Sequence, residues 1–219
     1  MKKVWLLFVA SCFFLAGFSQ DPARFKNDVQ TIKQFDKIYP PPPNPVLFIG
    51  SSSIRLWPEL QKTFCERTVL NRGIGGAVVN DILYYADDIL FPYKPAHLVI
   101  FVGENDLPDE HVTADSIFRR VKRLYELIRK KLPEVPVEYI ALKPSPVRAK
   151  YFEKAKEANR LISNYLSGKP NTHFIDIYTP MVTKEGKPRP ELFVKDMLHM
   201  NEAGYKIWEG LVRPYLQMP

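Results

Sequence analysis

The chain has 219 residues, a formal net charge of +7 and 46 % hydrophobic residues. That is enough to bury a full core in one domain. Basic residues are spread along the chain, as in Arg119-Arg120, Lys130-Lys131 and Lys184 to Arg189, and form no compact nucleic-acid motif, so the charge exerts at most a mild pull on acidic polymers. Two cysteines, Cys12 and Cys65, leave no room for a disulfide framework.

Residues 1–19 read as a secretory signal peptide. Lys2 and Lys3 precede an apolar run, Val4 to Phe18, broken only by Ser11, and Gly17 and Ser19 fit cleavage after Ser19. The run is shorter than the ~20 residues a spanning helix needs, and Gln20, Asp21 and Pro22 follow at once. No stable membrane span is expected after cleavage, and an exported, periplasmic or extracellular protein is. Lipoprotein anchoring at Cys12, after Val9-Ala10-Ser11, is the weaker reading, because the apolar stretch continues past the cysteine. Cleavage leaves Cys65 alone and lowers the charge to +5 with the loss of Lys2 and Lys3.

Residues 20–45 form a lead-in. Phe25, Val29, Ile32 and Phe35 share one face at helical spacing, and YPPPPNP then ends any helix. The main domain, 46–219, alternates strand and helix patterns. Strands are predicted at 46–50, 68–73, 97–103, 137–142 and 172–177. Helices are predicted at 54–64, 77–90, 114–132 and 148–167, with a last one after Asn201. The third helix carries Ile117, Val121, Leu124, Ile128 and Leu132 on one stripe. The last turns Tyr205, Trp208, Leu211, Val212 and Tyr215 inward. This alternation predicts an α/β fold whose five-stranded parallel sheet is covered on both faces. Ligands then bind beyond the carboxyl ends of the strands, where the sequence places GSSS, NRGIGG, VGEND and LKPSPVR.

A nucleophilic serine needs a base, a group that orients the base, and donors for an oxyanion. Of the four histidines, His97, His111 and His173 sit at or beside element starts and are expected to be structural. His199 follows Asp196 by three residues, so one turn of chain brings carboxylate and imidazole together. Asn105 offers an amide after the third strand. Gly75-Gly76 lets backbone N–H groups approach a ligand with no Cβ in the way. No set of residues has metal-ligand spacing, so no metal or cofactor is expected.

GSSS, NRGIGG, VGEND and DMLH stand in the order and at the separations of the SGNH, or GDSL-type, hydrolases, over about residues 46 to 216. Within that family the blocks most resemble the platelet-activating-factor acetylhydrolase-like and carbohydrate-esterase branches. The resemblance implies a flavodoxin-like three-layer α/β/α sandwich that hydrolyses esters. It implies Ser52 as nucleophile, with Asp196 and His199 completing the triad. The oxyanion hole would be the N–H of Ser52, the N–H of Gly76 and the side chain of Asn105. The first block departs from the family pattern, because Ser51 stands where an aspartate is usual. Ser51 then faces the other side of the segment, and Ser53 is suited to capping the next helix. The expected function is an exported serine esterase for small acyl groups, acetyl first, on a small-molecule or glycan ester. The alternatives are a lysophospholipase or thioesterase for longer chains, and a binding module on the same fold that has lost activity.

Overall fold

The computed structural model describes residues 21–217. The signal-peptide and Cys12 readings lie outside these residues. A 3-10 turn, Pro22–Phe25, leads into helix α1 (Lys26–Ile38). The main domain then runs β1 (Val46–Gly50), α2 (Ser52–Arg55), α3 (Leu60–Thr63), β2 (Val69–Gly73), α4 (Val79–Tyr84), α5 (Ala86–Ile89) and β3 (His97–Phe101). It continues with α6 (Ala114–Lys131), β4 (Val137–Ile140), α7 (Phe152–Leu166), β5 (Thr172–Ile175) and α8 (Glu202–Leu216). The five strands form one parallel sheet in the order β2-β1-β3-β4-β5. This is the flavodoxin-like order, with its topological switch between β1 and β3.

Strand alternation supplies two cores. Leu47, Ile49, Leu98, Ile100 and Val102 face α1 and α4 to α7. Val46, Phe48, Val99 and Phe101 face α2, α3 and α8. A strand buried on both faces reads as a continuous apolar run, as VLFIG and HLVIF do. The second core is aromatic. The Trp208 ring of α8 meets Phe101 edge-on at 4.7 Å, Trp57 packs 5.3 Å from Tyr205, and the Trp208 indole N–H points at Met181 Sδ, 3.4 Å away.

Gly50 fixes where β1 ends. Its φ is +135°, and a Cβ there would lie 1.9 Å from the Phe101 carbonyl oxygen. Only glycine lets the chain leave the sheet at this point while staying in register with Phe101 and Gly73.

The helix predicted at 77–90 is broken at Tyr85 (φ −95°, ψ 9°) into α4 and α5, and the one predicted from 148 begins at Phe152 after a 3-10 turn, Pro146–Tyr151. Three further departures have distinct causes. The helix predicted at 54–64 splits into α2 and α3. Pro58 lies between them and cannot donate the helical hydrogen bond, and Glu59 takes a left-handed φ of +49°. Phe35, assigned to the inner face of α1, is 57 % exposed; the adjacent Asp36 turns in and pairs with Arg72. Ser53 does not cap. The N-cap of α2 is Ser51, and Ser53 is already inside the helix and buried. No helix among the described residues is long and apolar enough to cross a membrane.

Candidate active site

The turn after β1 presents its three serines differently. Ser51 and Ser53 are each 1 % exposed, whereas Ser52 is half-buried and opens to solvent. Two backbone bonds anchor the turn. Ser51 N–H donates to the Phe101 carbonyl at 2.9 Å, and Ile74 N–H donates to the Gly50 carbonyl at 2.8 Å. The first ties Ser52 to β3, and the second ties it to the Gly75-Gly76 loop.

His199 lies 147 residues further on, and its Nε2 is 3.0 Å from Ser52 Oγ. Its Nδ1 is 2.6 Å from Asp196 Oδ2. Asp196 Oδ1 accepts the backbone N–H groups of Leu198 (2.8 Å) and His199 (2.9 Å). The segment doubles back through Met197, whose φ of +55° is left-handed, a strain that side-chain-bearing residues adopt mainly where surroundings impose it. Burial alone would raise the Asp196 pKa. The His199 backbone N–H, the His199 ring and the Leu198 N–H outweigh it and bring the carboxyl down to about 2. An ionised Asp196 can only accept. Nδ1 therefore carries the ring proton, and Nε2 is free to accept from the Ser52 hydroxyl. The carboxylate thus holds the imidazole in the tautomer whose Nε2 faces the Ser52 hydroxyl.

Ser52, Gly75, Gly76, Asn105, Leu198 and His199 line one open cleft of about 340 Å³, with Arg55 and Leu56 at its wall. Gly76 takes a φ of +80°, and its carbonyl accepts from Arg24 at 3.3 Å. Arg24 also pairs with the buried Asp81 at 2.6 Å, and Asp81 accepts the N–H of Val78 at 2.8 Å. The segment before α1 therefore braces the glycine loop. No acceptor among the described residues takes the N–H of Ser52 or of Gly76. Asn105 sits in the 3-10 turn Glu104–Asp106 that follows Gly103, and its Nδ2 donates to the Ala77 carbonyl at 3.1 Å. Asp106, buried beside it, is held by Arg120 at 2.6 Å and by the Val79 N–H at 3.1 Å.

All five residues singled out in the sequence, Ser52, Gly76, Asn105, Asp196 and His199, therefore meet at the carboxyl ends of β1 and β3. The other histidines do not. His97 and His173 share the buried Glu138, in the first two positions of their strands. His111 caps nothing catalytic; its backbone N–H closes a turn on Asp109. Sequence reasoning missed the braces Arg24, Asp81, Asp106 and Arg120, and a charged group behind Asn105. There Lys143 is fully enclosed and ion-pairs with Glu104. Burial pushes the Lys143 pKa down, and Glu104 opposes that push. The signal available for these was only their position beside the blocks VGEND and LKPSPVR.

The model of the GDSL-like lipase/acylhydrolase family matches residues 49–207. No curated protein is similar enough in sequence to count as a relative. Among solved structures, the fold resembles a Streptococcus pneumonia protein named for platelet activating factor (22 % identity, 87 % of this chain and 92 % of that one, TM-score 0.75). It also resembles a GDSL-like lipase from Bacteroides thetaiotaomicron (22 %, 90 % and 98 %, TM-score 0.73). A third is a mutant of an acetyl-xylooligosaccharide esterase from Geobacillus Stearmophilus (18 %, 80 % and 94 %, TM-score 0.63). With the family model covering most of its length, this chain belongs to the GDSL-like lipase/acylhydrolase family and is a carboxylic ester hydrolase.

Proposed function

We propose that the protein is an exported serine esterase that removes small acyl groups, acetyl foremost, from carbohydrate esters. The observation that carries this reading is the unbroken line Asp196, His199, Ser52, with bonds of 2.6 and 3.0 Å, ending in an open cleft. Ser52 Oγ attacks the ester carbonyl carbon while His199 Nε2 takes its proton. Asp196 holds the ring and balances its charge. The carbonyl oxygen becomes an oxyanion, met by the N–H of Ser52, the N–H of Gly76 and the Asn105 amide. When the C–O bond breaks, His199 returns the proton to the leaving alcohol. Water then attacks the acyl-enzyme, His199 accepts a proton from it, and Ser52 is regenerated with release of the carboxylic acid.

The size of the cleft supports a short acyl group. Of its eight lining residues only Leu56 and Leu198 are large and apolar, whereas a long chain needs an extended apolar channel. Lys2, Lys3 and the apolar run behind them support export. The acetyl-xylooligosaccharide esterase among the structural relatives supports a glycan ester as substrate. The test is kcat/KM on para-nitrophenyl esters of increasing length, with Ser52→Ala as control. We expect the rate to fall beyond short acyl chains, and Ser52→Ala to lose on the order of 10⁶-fold in kcat without loss of fold. Rates that rise with chain length would favour the lysophospholipase or thioesterase reading. Activity that survives in Ser52→Ala would remove the mechanism.

A further inference from the structure

The segment Lys143-Pro144-Ser145-Pro146-Val147-Arg148 contributes nothing to the proposed proton path, yet three of its side chains converge on the turn that carries Asn105. Lys143 pairs with one oxygen of Glu104, and the Ser145 hydroxyl donates to the other. Arg148 grips the same turn twice. Its Nη1 donates to the Glu104 carbonyl at 2.6 Å, and its Nη2 donates to Asn105 Oδ1 at 2.7 Å. The Arg148 side chain is only 12 % exposed. The segment is fixed in turn to the histidine loop, because Val147 N–H donates to the Met197 carbonyl at 3.1 Å.

A side-chain amide can present either its oxygen or its nitrogen to a site. An oxygen facing the cleft would repel an oxyanion. Here the surroundings decide. Guanidinium only donates, so Oδ1 must face Arg148, which leaves Nδ2, the donor end, toward Ala77 on a residue that lines the cleft. Turning the amide over would set N–H against N–H at Arg148 and carbonyl against carbonyl at Ala77. The bond from Arg148 is charge-assisted, and such bonds are roughly twice as strong as neutral ones. Drawing electron density toward Oδ1 also makes the amide N–H a better donor.

We infer that Arg148 is the positioning residue of the oxyanion hole: it locks the Asn105 amide in its donor orientation and strengthens it. Arg148 does not line the cleft, so it acts through Asn105 and not on the substrate. The inference rests on the reading of Asn105 as an oxyanion donor.

The experiment is a double-mutant cycle on the processed protein with para-nitrophenyl acetate, with the melting temperature of every variant measured alongside. Asn105→Ala should lower kcat by about 10²–10³-fold. Arg148→Ala should lower kcat by about 10–100-fold, less than loss of the donor itself, and leave KM within about twofold. The double variant should be no slower than Asn105→Ala, because the second change acts only through a group already gone. Arg148→Lys, a point charge that cannot span both carbonyl oxygens, should recover part of the loss. An unaltered kcat in Arg148→Ala, or losses that add in the double variant, overturns the inference and leaves the donor reading standing, provided Asn105→Ala shows its loss. An unaltered kcat in Asn105→Ala overturns both. If Arg148→Ala does not fold, Arg148→Lys with and without Asn105→Ala decides by the same criterion: a loss that persists without the amide overturns the inference.

Discussion

Ser53→Ala should make the protein more stable. Ser53 is 1 % exposed, and its Oγ has no hydrogen-bond partner among the described residues. A buried hydroxyl without a partner forfeits its hydration, at a cost of about 1–3 kcal/mol. Alanine removes that cost and keeps the Cβ. The gap left by one oxygen costs about 0.5 kcal/mol on the measured scale for cavities. The backbone bond at this residue, from the Tyr205 hydroxyl to the Ser53 carbonyl at 3.0 Å, does not involve the side chain. The net gain is about 0.5–2.5 kcal/mol, and each kcal/mol raises the melting temperature by about 2–4 °C in a domain of this size. A capping serine would give the opposite sign, because replacing an N-cap by alanine costs about 1 kcal/mol. Urea melts of both proteins, compared at equal m-value, measure the difference directly. A loss of stability of about 1 kcal/mol or more would refute the reasoning, since it would mean that the hydroxyl is bonded in the folded protein.

Asp196→Asn should lower kcat by on the order of 10³–10⁴-fold, because the amide no longer fixes the ring proton on Nδ1. The pH dependence of stability has a definite sign. The Asp196 pKa, about 2 in the folded protein, lies below the ~3.9 of an unfolded aspartate. Its stabilising contribution is therefore complete above about pH 4 and lost as pH falls toward 2, so the stability gap between wild type and Asp196→Asn should close across that window; a constant gap would contradict the assignment. Trp208→Ala, at the centre of the aromatic core, should cost about 3–5 kcal/mol in denaturant melts, and a loss under 1 kcal/mol would mean the α8 packing is wrong. Gly50→Ala places a methyl against the Phe101 carbonyl and should cost at least about 3 kcal/mol, read as a shift in the urea midpoint.

The central strands β1 and β3 were legible because each is an apolar run buried on both faces, with small or polar residues soon after it stops, whereas the edge strands β2 and β5 are only partly buried. VLFIG ends at Gly50 and HLVIF at Phe101. The five site residues were legible because the blocks that carry them are local. Pro58 was a local signal too, and a continuous helix over 54–64 ignored it. Other features depend on partners far along the chain. Arg24 reaches Gly76 across 52 residues, and Arg148 reaches Asn105 across 43. No periodicity in either segment announces such a pairing. Phe35 and Asp36 exchanged places for the same reason: Arg72 and the Tyr93 hydroxyl, distant in sequence, hold the carboxylate. Ser53 was misread because capping depends on where the helix begins, and that start is set by the escape of Gly50 from the sheet.

The hydroxyl of Ser52 and the His199 imidazole bonded to it stand 147 residues apart in the chain. Closing a loop of that length carries roughly 4 kcal/mol of length-dependent entropy, and what repays it is the docking of α8, which begins just past His199 and bonds the Ser53 carbonyl through Tyr205. A polypeptide made from its amino end has its proposed nucleophile long before it has its proposed base. On the proposed mechanism the nascent chain stays chemically inert until the last helix docks on the sheet. Turnover by that mechanism is in this sense a report on the carboxyl terminus, since a chain cut short before residue 200 would lose Tyr205, Trp208, Val212 and Leu216 from the second core and with them the docking that holds His199 against Ser52.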